Sequence, residues 1–230
     1  MKFVDKGDYY LGLDEQRSEE WKFSRKNRIN ASGFGDIIKA MTNSGRQFKT
    51  LDEIIENIMG KEYKFSEEAM RNINHGIEYE PIARAWAEKQ LAIELKCQIK
   101  IEESGLMIPK WDLGLGASLD GEVYYRHSDD EEWKRSEINV EIKCPQKMYY
   151  NLYYRKNDFS HIYESHYYQM LGGMAISNKK YCYYVVYTDD EIITEFVPFN
   201  KEKWEYIYNI LKEFREKYLK NIFPEFTVSN

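Results

Sequence analysis

No stretch of the 230-residue chain is long and apolar enough to cross a membrane as a helix: the longest apolar-aromatic run, Tyr181 to Tyr187, stops far short of the ~20 residues required. The first eight residues, Met1-Lys2-Phe3-Val4-Asp5-Lys6-Gly7-Asp8, carry charges where a secretory signal holds its apolar stretch. Cysteine is scarce too. Cys97, Cys144 and Cys182 are the only three, and no two lie close together. They can build neither a disulfide framework nor, by themselves, a four-thiolate zinc or iron-sulfur site. An intracellular setting, the cytoplasm of a cell or of an infected host, is expected. The five prolines stand singly, and no linker, repeat or low-complexity tract divides the chain, so a single domain over residues 1–230 is expected. Nor is positive charge in excess. With 33 Lys+Arg against 39 Asp+Glu, the net charge is −6, which excludes coating nucleic acid with the whole surface but leaves room for a local basic groove. A phosphate-binding glycine loop ending in Lys-Ser/Thr is missing, so ATP use is not indicated. His161 and His166 are not spaced i,i+4, and His75 and His127 stand alone, so no zinc is expected.

Aromatic residues are plentiful, with 20 Tyr, and most are read as amphipathic fillers of core edges. The chain begins helical. Ser18 to about Ala40 predicts two helical pieces broken near Asn30-Ala31-Ser32, with Ser32 capping the second. A helix follows over Leu51–Met59. From Glu67 to about Leu95 the spacing of Ala83, Trp86, Ala87 and Leu91 predicts a long helix or a pair interrupted near Gly76 and Pro81. The period then becomes two at Cys97, Ile99 and Ile101, and again over Val123–Tyr125 and Ile138–Ile142. Asp129-Asp130-Glu131-Glu132 reads as a solvated hairpin connection. A helix over His161–Ser177, strands over Tyr181–Thr188 and Ile192–Phe199, and a closing helix over Lys201–Lys220 complete an α/β chain. The expected core is a central twisted mixed β-sheet flanked by helices, with a helical N-terminal region.

Ile138-Asn139-Val140-Glu141-Ile142-Lys143-Cys144-Pro145 is the most informative segment. In a strand, Ile138, Val140 and Ile142 point to one face, and Glu141 and Lys143 point together to the other. Such a strand is common on its own. Its upstream neighbour, Gly114-Leu115-Gly116-Ala117-Ser118-Leu119-Asp120-Gly121, could bring Asp120 beside Glu141 through a hairpin. Two carboxylates would then offer hard oxygen ligands to a divalent cation such as Mg²⁺, and the Ile142 carbonyl could add a third. Lys143 would serve the attacking water or the transition state of a phosphodiester cleavage. Cys144 reads as a small packed residue rather than a nucleophile.

Asp120 and Glu141-Ile142-Lys143 resemble the PD-(D/E)XK nucleases. The closer resemblance is to the branch of phage lambda exonuclease and YqaJ-type viral recombinases, and it runs through most of the chain. Trp21-x3-Arg25-x3-Ile29-Asn30-Ala31-Ser32 is similar to that branch's W-x3-R-x3-I-T-A-S, with Asn30 for Thr. Gly76 to Ala83, with Glu80, resembles G-x3-E-x2-A. Gly116-Ala117-Ser118-Leu119-Asp120-Gly121 resembles G-A-S-P-D-G, with Leu119 for Pro. Glu141-Ile142-Lys143-Cys144-Pro145 matches E-[IL]-K-C-P unchanged, and Tyr167-Tyr168-Gln169-Met170-Leu171 resembles Y-x-Q-x-Q, with Leu171 for the second Gln.

The resemblance implies that Asp120, Glu141 and the Ile142 carbonyl bind the principal Mg²⁺, with Mn²⁺ as a substitute, that Glu80 helps hold a second ion, and that Lys143 serves the water. It also implies that Arg25, Ser32 and Ser118 grip a 5′-phosphate, with Gln169 close by. Arg25 suits that role because it can make a two-pronged contact to phosphate. It sits in a basic stretch, Lys22, Arg25, Lys26 and Arg28, whose other members also read as a solvated helix face. The implied activity is a Mg²⁺-dependent 5′-to-3′ exonuclease on linear duplex DNA ends, releasing mononucleotides and leaving 3′ single strands for recombination. Implied partners are double-stranded DNA ends, a single-strand annealing protein and two further copies in a ring-shaped homotrimer. An endonuclease, a single-strand or RNA nuclease of the same fold, and a non-catalytic DNA-binding module remain alternatives on sequence alone.

Overall fold

The computed structural model describes residues 2–44, 47, 49–61, 66–148, 162–222 and 224. Its centre is the expected mixed sheet, built from β4 (Gln98–Glu102), β7 (Gly121–Arg126), β8 (Lys134–Lys143), β9 (Tyr181–Tyr187) and β10 (Ile192–Pro198) in the order β10-β9-β8-β7-β4. β8 and β9 run parallel, while the other neighbours pair antiparallel. A parallel pair needs a crossover, and helix α5 (Glu164–Ser177) lies within that connection. The Asp129–Glu132 stretch lies in the β7–β8 connection, where Asp130 pairs with Lys134 at 2.8 Å.

Both faces of the sheet are covered. On one, Val140 and Ile142 of β8 and Tyr183 and Val185 of β9 meet Ala83, Ala87 and Leu91 of α4 (Glu67–Leu95). On the other, Cys182, Tyr184 and Val186 of β9 join a core with α2 (Phe34–Thr42), α5 and α6 (Lys201–Tyr218). Alternation along β8 therefore sends Glu141 and Lys143 toward the α5 side, under a helix, and Glu141 keeps only 4% of its surface. Each covered apolar side chain contributes roughly 1.5–3 kcal/mol, so the two-sided core holds the polar pair in place.

α4 is one helix. Ser66 caps it by accepting from the Ala69 amide, and it passes through Gly76 and Pro81 without interruption. Pro81 removes one helical hydrogen bond, and burial of Ala83, Ala87 and Leu91 on the following turns holds the helix together past that point. Ser18 caps α1 (Glu19–Ser24), and Thr50 and Glu53 form a reciprocal capping box on α3 (Leu51–Ile58). Ser32 does not cap α2. It lies in the 3₁₀ turn Ala31–Gly33, and Gly33 occupies the cap position with no side-chain bond. The N-terminal region is also less helical than expected. β1 (Phe3–Asp5) and β2 (Tyr9–Gly12) pair with β5 (Met107–Pro109), and β3 (Ile29–Asn30) pairs in parallel with β6 (Leu115–Gly116). The expected helix over His161–Ser177 is observed as Glu164–Ser177, with His161 itself outside the described residues.

Candidate functional site

Asp120 stands immediately before β7, and the pairing of Gly121 with Val140 sets it against the Glu141 end of β8. A Cβ on Gly121 would collide with the Ile101 side chain, so only glycine lets the strand leave Asp120 this close to its neighbours. The Asp120 carboxylate accepts a 2.8 Å hydrogen bond from the Ile142 amide through Oδ2. The residue before it, Leu119, donates its amide to Ser104 Oγ at 2.7 Å and accepts from the Ser104 amide at 3.1 Å. A proline there could not donate. Ser104 thus supplies by hydrogen bonding the stiffness that a proline ring would give.

Lys143 Nζ lies 2.6 Å from Glu141 Oε1 and donates to Gln169 Oε1 on α5 at 3.3 Å. Burial, reinforced by Asp120 and opposed by Lys143, pushes the Glu141 carboxyl up to about 8. Burial alone would lower Lys143, but Glu141, Asp120 and Glu80 outweigh it and hold its ammonium well above the ordinary range. Cys144 is pushed up to about 12, chiefly by burial, so its thiol is not a ready nucleophile. His166 donates to or accepts from Tyr184 Oη at 2.8 Å, and burial together with the Lys143 and Lys39 charges lowers its pKa.

Glu80 reaches the same region from α4 but is already engaged. Its Oε2 meets Arg17 and its Oε1 meets Arg84, each at 2.6 Å. Burial first, then Asp120, raises it to about 6 against the pull of both arginines. Among the described residues, no three His, Cys, Asp or Glu side chains converge as a metal-holding group. The chemistry of the donors nevertheless suits a divalent cation at Asp120 and Glu141. Glu141 Oε1 is buried with Lys143 Nζ 2.6 Å away as its ion-pair partner among the described residues, and the Asp120 charge disfavours the charged form of Glu141, so a hard cation would relieve both the burial and the repulsion. Glu80 does not join that set while it holds the two arginines.

The expected phosphate-binding residues form a second group. Arg25 donates to Ser32 Oγ at 3.0 Å and lies 4.3 Å over the Trp21 ring, and Trp21 Nε1 donates to Ser118 Oγ at 3.0 Å. Trp21 therefore ties Arg25, Ser32 and Ser118 into one cluster two residues from Asp120. Trp21, Arg25 and Ser32, but not Ser118, line a cleft of about 480 Å³ between α1, α2 and α3. No carboxylate pairs with Arg25 among the described residues, and burial lowers its pKa to about 10. Asn30, which stands where the resembled motif has Thr, donates to the Arg25 and Arg28 carbonyls at 3.0 and 3.1 Å and so braces the turn. Arg28 is no part of a solvated face. It is fully buried, bonding the Ser24 carbonyl at 3.1 Å and the Leu113 carbonyl.

Two residues near the site were not among the sequence candidates. Arg84 donates through Nε to the Asp120 carbonyl at 2.6 Å, and Arg17 bridges Glu80 and Glu103. Arg84 had a sequence signal, standing four residues after Glu80 on a helix. Arg17 had none, because its partner lies 63 residues away.

Residues 20–180 match the family model of the YqaJ-like viral recombinase domain. Among solved structures, LHK-Exo, an alkaline exonuclease from Laribacter hongkongensis, is similar with a TM-score of 0.60 and 20% identity, over 89% of this chain and 94% of that one. The structure of LHK-Exo in complex with dAMP gives a TM-score of 0.64 and 23% identity over the same shares. A phage-related exonuclease from Haemophilus somnus 129PT gives 0.54 and 11%, over 84% of this chain and 94% of that one. At these identities the likeness is one of fold. No curated protein sequence matches the chain.

Proposed function

The chain belongs to the YqaJ-like viral recombinase family, and from that premise we propose that this nuclease is a Mg²⁺-dependent 5′-to-3′ exonuclease acting on linear double-stranded DNA. It releases mononucleotides from 5′-phosphorylated ends and leaves 3′ single strands. The observation that carries the reading is the meeting of Asp120, from the start of β7, with Glu141 and Lys143 on the α5-facing side of β8.

Asp120, Glu141 and the Ile142 carbonyl would hold Mg²⁺, with Mn²⁺ as a substitute and Glu80 available to a second ion once an arginine yields. Bound there, the ion supplies Lewis-acid activation of water and offsets charge on the scissile phosphate. Lys143, fixed by Glu141 and Gln169, presents an ammonium that orients the attacking water and stabilises negative charge as it grows. The buried surroundings of Glu141 strengthen those charge interactions.

Arg25, Ser32 and Ser118 grip the terminal 5′-phosphate, and with no carboxylate on Arg25 among the described residues its guanidinium fork is left for an anion. Gln169 stands beside Lys143 and positions it. An acidic chain holds duplex DNA poorly by charge alone, which favours retention by shape, and a homotrimeric ring around the duplex is part of this reading. So is a single-strand annealing protein that takes up the 3′ strand.

Digestion of end-labelled linear duplex, bearing 5′-phosphate or 5′-hydroxyl, beside closed circular DNA and single-stranded RNA tests it, with Lys143→Ala as control. Mononucleotide release from the phosphorylated duplex alone is expected. Cutting of circles or RNA would keep the metal chemistry and overturn the substrate, and no cleavage of any of them would leave a binding module.

A further inference from the structure

We propose that Arg84 is a positioning residue that sets the two acidic sides of the site at a fixed separation by bonding to both at once. Its Nε donates to the main-chain carbonyl of Asp120 at 2.6 Å, and its Nη2 donates to Glu80 Oε1 at 2.6 Å. Asp120 is thereby held at both ends, its carbonyl by Arg84 and its carboxylate by the Ile142 amide. Glu80 and Asp120 belong to different elements, the long helix α4 and the start of β7, 40 residues apart in sequence by their numbers. Both carry carboxylates, so their like charges push them apart.

Several features mark Arg84 out from an ordinary helical ion pair. Its side chain is 16% exposed, far less than the 39% of Arg17. Arg17 contacts Glu80 and Glu103 but makes no bond to Asp120, whereas Arg84 touches both acids and lies 3.8 Å from Glu103 as well. A guanidinium is a rigid planar fork, so the two bonds set an angle and a distance together, and a flexible point charge such as lysine can satisfy only one of them well. Both bonds are short and charge-assisted, the strong class of hydrogen bond. Outer residues that orient ligating carboxylates typically change metal affinity by roughly 10- to 100-fold when lost.

The inference rests on Asp120 and Glu141 holding a divalent cation, and the test separates the two ideas. Mn²⁺ binding to the full chain is measured by electron paramagnetic resonance without DNA, for wild type, Asp120→Asn, Arg84→Gln and Arg84→Lys, with near-ultraviolet circular dichroism confirming equal folding. Wild type is expected to bind Mn²⁺ and Asp120→Asn to lose it. Arg84→Gln should then bind at least about tenfold more weakly with an unchanged dichroism spectrum, and Arg84→Lys should fall between the two. If Arg84→Gln fails to fold, Arg84→Lys carries the same comparison. Wild-type affinity in a folded Arg84 variant, beside loss in Asp120→Asn, would overturn the role of Arg84 alone. Absence of Mn²⁺ binding by wild type, or its persistence in Asp120→Asn, would instead overturn the metal site.

Discussion

Lys143 Nζ lies 2.6 Å from Oε1 of Glu141, two residues back along the same strand face, and it also donates to the Gln169 amide oxygen on α5. An ammonium held between a carboxylate and an amide is preorganised. Lys143→Ala should therefore lower kcat by roughly 10²–10³-fold, the usual effect of deleting one preorganised electrostatic group, while DNA affinity measured in Ca²⁺ changes little. Parallel loss of binding and turnover would show that Lys143 acts on the ground state instead.

The pH dependence of the metal-free protein follows from Glu141. Its folded pKa is raised from the ordinary 4.5 to about 8, so between those values the folded chain keeps a proton that the unfolded chain has released. Stability from this group is fully present below about 4.5 and is lost as pH rises toward 8. In EDTA the melting temperature of wild type should fall across that window, and Glu141→Gln should flatten the fall. Identical slopes for the two proteins would contradict the assignment.

Arg25→Ala should erase a preference for phosphorylated ends. A charge-assisted contact contributes about 1.5–3 kcal/mol, so the ratio of kcat/KM on 5′-phosphate and 5′-hydroxyl duplexes should drop about 10- to 100-fold. Equal use of both ends by wild type would sink the pocket assignment.

Arg28, three residues on, should behave differently. Arg28→Met strips donors from the buried Ser24 carbonyl and the partly exposed Leu113 carbonyl, and a buried acceptor left unpaired costs about 1–3 kcal/mol. The expected result is a loss of about 1–3 kcal/mol in urea unfolding, with the end preference kept. A selective loss of phosphate preference would move Arg28 into the binding cluster.

Local pattern made much of this legible. Alternation over Ile138–Ile142 placed Glu141 and Lys143 on one face, and the spacing of Ala83, Ala87 and Leu91 marked the buried side of α4. Ser32 shows where local reasoning stops. As a serine before a helical stretch it reads as a cap, yet its hydroxyl is taken by Arg25, seven residues back in the preceding segment. Pro81 reads as an interruption because proline breaks isolated helices, and here burial against the sheet overrides that preference.

By itself the sequence determined the kinds of groups present, their order, and the faces on which period two and period 3.6 set them, because those follow from backbone geometry within one element. Only the tertiary structure decided which distant groups meet. It turned Glu80 to Arg17 and Arg84 to the Asp120 carbonyl, buried Arg28 against two carbonyls, and paired β2 with β5 some hundred residues on. It also laid α5 over Glu141 and Lys143, turning an outward polar face into a buried one. Such contacts depend on how whole elements pack, and desolvation of a charge is a property of that packing rather than of any residue's neighbours in the chain.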